Sequence, residues 1–92
     1  MKISELIGKK IAVHCPTEEL YRKCMDMLDL QPMKYRSMMG GLYVYESDVC
    51  FEFFYSASAW NYEAGMQYSP IGFYERGDYE IITAEQFIQS NS

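Results

Sequence analysis

Several things are scarce in this chain of 92 residues, and each scarcity removes a class of explanation. Histidine occurs once, at His14, and tryptophan once, at Trp60. Cysteine occurs three times, an odd number too scattered for a disulfide framework, so a reducing cytosol is the expected compartment. No apolar run approaches the roughly 20 residues of a membrane helix. The opening "MKISELIGKK" carries Lys2, Glu5, Lys9 and Lys10 around no apolar core, so no secretory peptide is read there. There is no internal repeat, low-complexity segment or linker, and no glycine-rich phosphate loop, nucleotide fingerprint or basic recognition helix.

Basic residues are the most unevenly missing. Residues 1–36 hold seven Lys/Arg against five Asp/Glu, whereas residues 37–92 hold one, Arg76, against eight. The net charge is −5. The acidic part also contains Tyr43, Tyr45, Tyr55, Tyr62, Tyr68, Tyr74, Tyr79, all five phenylalanines and Trp60. Such a surface repels phosphate backbones, which argues against direct nucleic-acid binding and for a basic protein partner. The plainer account is that tyrosines fill strands while acids keep them soluble.

What is present is ordinary for one globular domain over residues 1–92, with 49% hydrophobic and 23% charged residues. "KKIAVHC" alternates with period two and reads as a strand ended by Pro16. Thr17 is a helix N-cap with Glu18 and Glu19 behind it, and Leu20, Cys24, Met27 and Leu28 recur at helical spacing. Glu18–Arg22 and Glu19–Lys23 are favourably ordered i,i+4 pairs. Pro32 stops that helix near Leu30. "MKYRSM" and "LYVYE" flank Gly40-Gly41 as a hairpin. "VCFEFFY" is the most apolar strand and is expected to be central, with Val49, Phe51, Phe53 and Tyr55 on one face. Residues 56–69 read as a long irregular loop. "IGFYE" reads as extended, "RGD" as a turn, "YEIIT" as the last strand, and Thr83 with Gln86 as a capping box for a terminal helix. The expected fold is α+β: strand, helix, then strands, in a single antiparallel-rich sheet with the main helix packed on one face. Its other face would carry the remaining tyrosines.

"IAVHCPTEELYR" invites comparison with cysteine-dependent phosphatases, which place an arginine after a glycine-containing anion loop. Here six residues separate Cys15 from Arg22, none is glycine, and Glu18 and Glu19 stand where phosphate would sit. Adjacent strand residues face opposite ways, so His14 does not serve Cys15. Cys15 reads as a small core residue. Cys15, Cys24 and Cys50 lack zinc-ligand spacing, and the carboxylates Glu46, Glu52 and Glu63 share no acid–base context. No catalytic residue, metal or cofactor is therefore assigned. Arg76-Gly77-Asp78, a tripeptide that adhesion receptors recognise, reads as a turn.

"ELIGKKIAVHCPTEE" (5–19) and "GFYERGDYEIITAEQF" (72–87) together resemble small accessory proteins of bacteriophages and prophages of Gram-positive bacteria. The resemblance covers about a third of the chain, at its two ends, and carries no catalytic motif. It implies a phage origin, a short α+β fold and a role in the host cytoplasm, since such proteins often bind and disable host defence enzymes, CRISPR nucleases included. The leading expectation is thus a non-enzymatic, anti-CRISPR-like inhibitor that binds a basic surface of a host protein. Its contact residues would be Tyr43, Tyr45, Trp60, Tyr62, Glu63 and Tyr68. The alternative is a nucleotide-sequestering protein, with aromatics of 56–69 stacking on a base and Lys9, Lys10 or Arg36 meeting phosphate. A third reading is a phage structural or assembly component. A homodimer is compatible with all three.

Overall fold

The computed structural model describes residues 2–31, 33–37, 43, 45–55 and 64–90. The chain runs α1 (Ile3–Leu6), β1 (Ile11–His14), α2 (Glu18–Asp29), β2 (Tyr35–Ser37), a 3₁₀ turn (Glu46–Asp48), β3 (Val49–Tyr55), β4 (Ala64–Pro70), α3 (Ile71–Arg76), β5 (Glu80–Thr83) and α4 (Ala84–Ser90). The fold is α+β. Its five strands form one sheet in the order β2-β4-β3-β1-β5.

The most apolar strand, β3, is the central one, as its composition demands. It pairs antiparallel with β4 along its whole length, from Val49↔Pro70 to Tyr55↔Ala64, and antiparallel with β1 through Val13↔Phe51. The two outer pairings are parallel: β1 with β5, Ile11↔Glu80 to His14↔Thr83, and β2 with β4, Tyr35↔Ala64 to Ser37↔Met66. The sheet is therefore mixed, not antiparallel-rich. Parallel neighbours are distant in sequence and leave no local signature.

One face of the sheet carries the main core. Val13, Val49, Phe51, Phe53, Ala64, Met66, Tyr68 and Ile82 pack there with Ile3 and Leu6 of α1, Tyr21, Cys24 and Leu28 of α2, and Phe87 of α4. The edge-on pairs Phe51–Phe53 and Phe51–Phe87, both 5.9 Å between centroids, fix that packing. The buried stripe of α2 is Tyr21-Cys24-Leu28, with Leu20 and Met27 half-buried beside it. Thr17 caps the helix, its Oγ1 accepting from the Leu20 amide at 3.2 Å.

Three expectations need correction. "IGFYE" is the helix α3, not a strand. Ile71 and Tyr74, three apart, turn toward the second face, where Tyr74 is buried with Ala12 and Cys50. Arg76 and Gly77 close the helix, so "RGD" straddles its end and Asp78 takes a left-handed φ of 59°. Residues 64–69, expected within a loop, belong to β4. There Ala64, Met66 and Tyr68 face the core while Gly65, Gln67 and Ser69 face the other way. Finally, Tyr45 (φ 61°) and Glu46 (φ 48°), expected in the strand "LYVYE", are both left-handed and not extended. The Gly40-Gly41 turn lies outside the described residues.

Candidate functional site

The His14-Cys15 pair resolves into structure. Cys15 and Cys24 are both fully buried in the main core. A hydrogen bond with Cys24, then burial, drives the Cys15 thiol far above its ordinary range, so it is held protonated. A protonated thiol is no nucleophile. His14 Nε2 lies 2.7 Å from the Ser47 carbonyl oxygen; a carbonyl only accepts, so this nitrogen donates. The bond ties the end of β1 to the 3₁₀ turn. Arg22 points elsewhere: it pairs with Glu18 at 3.2 Å and lies over the Tyr21 ring at 5.2 Å. Cys50, on the second face, is pushed up to about 12, mainly by burial. Among the described residues no group of three His, Cys, Asp or Glu is arranged to hold a metal ion. None of their helices is long and apolar enough to cross a membrane.

What the fold does assemble is a separation of charge. The register puts His14, Cys50 and Thr83 side by side at one end of the sheet, where β1 and β5 finish and β3 begins. Glu18 opens α2 there, Glu46 and Asp48 form the 3₁₀ turn, and Glu85 opens α4. Their proximity registers in their neighbours' titration. Glu18 and Glu46 both act on the Tyr43 hydroxyl, whose pKa is raised first by desolvation, and Glu85 acts on Cys15. Asp48 acts on Cys50, as does Glu75 of α3. At the opposite end, where β1 and β2 begin near Tyr55 and Ala64, stand Lys9, Lys10, Lys34 and Arg36. Asp29, Asp78 and Glu80 temper that end, since Asp29 ends α2 there with its Oδ1 accepting from the Tyr35 hydroxyl at 2.8 Å, and Glu80 begins β5 against Lys10.

Tyr43 and Tyr45 accompany the acidic end. Tyr43 is half-buried, its ring 5.5 Å from that of Tyr21. Tyr45 is 47% exposed, and it is presented by the left-handed Tyr45-Glu46 pair. Left-handed backbone costs a residue with a β-carbon about 1–2 kcal/mol, so this pair is strained at an exposed surface.

Three of the six expected contact residues are described, and one of these is not on the surface. Tyr43 and Tyr45 are at the acidic end. Tyr68 is a core residue, 4% exposed, its hydroxyl 2.7 Å from that of Tyr21, so it is not available to a partner. Strand alternation from Ala64 onward could have shown this, but Gly65, Ser69 and Pro70 masked it as a loop. Trp60, Tyr62 and Glu63 lie outside the described residues. Glu18, Glu46, Asp48 and Glu85 were not named as contact residues from sequence. Only the register brings them together.

The chain matches no protein family, no characterised protein and no solved structure closely enough to assign a relative.

Proposed function

We propose that this chain is a non-catalytic protein that binds and inhibits a host protein by setting its acidic end in a basic groove. The partner class with a groove of that charge is an enzyme that handles nucleic acid, and a defence nuclease such as a CRISPR effector fits the phage-like resemblance of the two end segments. One observation carries the reading: Glu18, Glu46, Asp48 and Glu85 stand at one end of the sheet, Glu18 and Glu46 beside Tyr43, with the exposed, strained Tyr45 next to Glu46. Carboxylates there imitate phosphate charge and steer association, and tyrosine supplies contact area at low entropic cost. Strain retained at a surface is commonly retained for what that surface does.

The test is affinity capture from a Gram-positive host lysate, run in parallel with a Glu46→Lys/Asp48→Lys variant. Capture of one nucleic-acid enzyme by the natural chain, and its loss from the variant, supports the proposal. Equal capture by both removes the acidic end from it.

A further inference from the structure

His14 is the chain's one histidine, and it sits where β1 meets a strained turn. Tyr45 (φ 61°) and Glu46 (φ 48°) are consecutive left-handed residues with β-carbons, a backbone that persists only where its surroundings hold it. Two backbone bonds close the turn: the Asp48 amide donates to the Tyr45 carbonyl at 3.0 Å, and the Val49 amide donates to the Glu46 carbonyl. The Cys15 amide donates to the Val49 carbonyl at 3.0 Å, joining the exit of the turn to the end of β1. The His14 bond to the Ser47 carbonyl, at 2.7 Å, grips the turn at its middle residue.

Nε2 donates in that bond, so the neutral ring carries its proton there. A second proton goes to Nδ1 and leaves the Nε2–H in place. The cationic ring therefore keeps its hold on Ser47, and a charged donor holds a carbonyl more strongly than a neutral one. What changes is the charge. Ser47 stands between Glu46 and Asp48 in the turn, so the new positive charge arises beside two carboxylates. Glu18 of α2, Glu85 of α4 and Glu75 of α3 are the further acids that neighbouring elements bring to this end. The Cys50 thiol and the Tyr43 hydroxyl there are both pushed upward, first by burial, and stay neutral. Histidine is the side chain that ordinarily gains a positive charge between pH 8 and 5.

We infer that His14 makes the acidic end respond to pH: on gaining a proton it keeps the turn formed and lowers the negative charge that the turn presents. This regulation rests on the docking reading above. The chain holds a basic partner near neutrality and loosens its hold under mild acid, because a cation beside Glu46 and Asp48 opposes a cationic groove. It differs from a histidine latch that opens on protonation, since the Ser47 bond is made by both forms of the ring. His14 is a positioning residue in this scheme, acting through the turn.

The test compares the natural chain with His14→Gln, whose amide nitrogen reaches about as far as Nε2 and never charges, and with His14→Leu, which removes the donor. Amide hydrogen exchange in the free chain, corrected for the intrinsic rate, reads the turn. Asp48 and Val49 should exchange about fivefold faster in His14→Leu, the usual net worth of one hydrogen bond, and at the natural rate in His14→Gln. In the natural chain their protection should be no lower at pH 5.5 than at pH 7.5. Calorimetric titration with deca-lysine, fully charged throughout this range, reads the charge. The natural chain should bind it about threefold more weakly at pH 5.5 than at pH 7.5, the effect of one unit charge near a solvated surface, and His14→Gln should lose most of that fall. His14→Gln decides the matter even if His14→Leu does not fold. None of these measurements needs a captured partner, so they judge His14 separately from the capture test of the docking reading. Equal protection in a folded His14→Leu, a His14 ring that does not titrate between pH 7.5 and 5.5, no binding of deca-lysine at either pH, or an undiminished fall in His14→Gln each overturns the inference.

Discussion

Tyr21 and Tyr68 meet hydroxyl to hydroxyl at 2.7 Å between α2 and β4, with Tyr43 and Tyr68 both in ring contact with Tyr21. Burial and this bond raise the Tyr21 pKa well above its ordinary value. Tyr68→Phe deletes one end of a buried hydrogen bond and should cost about 1 kcal/mol in urea unfolding. A Tyr21→Phe/Tyr68→Phe double variant should lose less than the sum of the single changes. Cys50 gives a second residue-scale expectation. Its thiol titrates at about 12 in the folded protein against 9.0 for an ordinary thiol. Above pH 9 the unfolded chain therefore holds fewer protons than the native one, and the contribution is complete below pH 9 and lost as pH rises through 12. Buried Tyr74, also raised by burial, pulls the same way. Unfolding free energy should fall steadily from pH 8.5 to 11, and Cys50→Ala should flatten part of that fall.

At the scale of elements, the capping signals are the most direct link from sequence to structure. Thr83 Oγ1 accepts from the Gln86 amide at 3.0 Å and Gln86 Oε1 from the Thr83 amide at 2.8 Å. Thr83→Ala should cost α4 about 1 kcal/mol in thermal or urea unfolding. α2, β1, β3, β5 and this cap were legible because each is specified by its own residues: an alternation, a stripe or a capping pair. β4 and α3 were not. Gly65, Ser69 and Pro70 are poor strand formers, and β4 exists because β3 pairs with it along seven residues. α3 is six residues long and held by burial of Tyr74 rather than by propensity. The candidate site was legible only as chemistry. Tyr43 and Tyr45 were named from sequence, but the carboxylates beside them come from three separate segments. The 3₁₀ turn offers its own test. Glu46→Gly should relieve left-handed strain and raise stability by up to about 1 kcal/mol, while weakening partner binding; a variant that gains stability and binds unchanged would mark the turn as structural only.

Across the whole molecule, folding converts a sequence asymmetry into a spatial one. The parallel pairing of β1 with β5 starts α2 and α4 from the same end of the sheet, and β3 begins there after the 3₁₀ turn, so acids from all three gather together. The parallel pairing of β2 with β4 puts Lys34 and Arg36 at the other end of the sheet, the end from which Lys9 and Lys10 lead into β1 three strands away. A protein of net charge −5 thus has an end that would orient it toward a cationic groove before contact is made. The central claim is that this end is the docking surface. The most direct measurement is the affinity of the captured partner at two ionic strengths, for the natural chain and for Glu46→Lys/Asp48→Lys. The account predicts binding that weakens with salt in the natural chain, a loss of affinity of tenfold or more in the variant at low salt, and little salt dependence left. Equal affinities with equal salt dependence would contradict it.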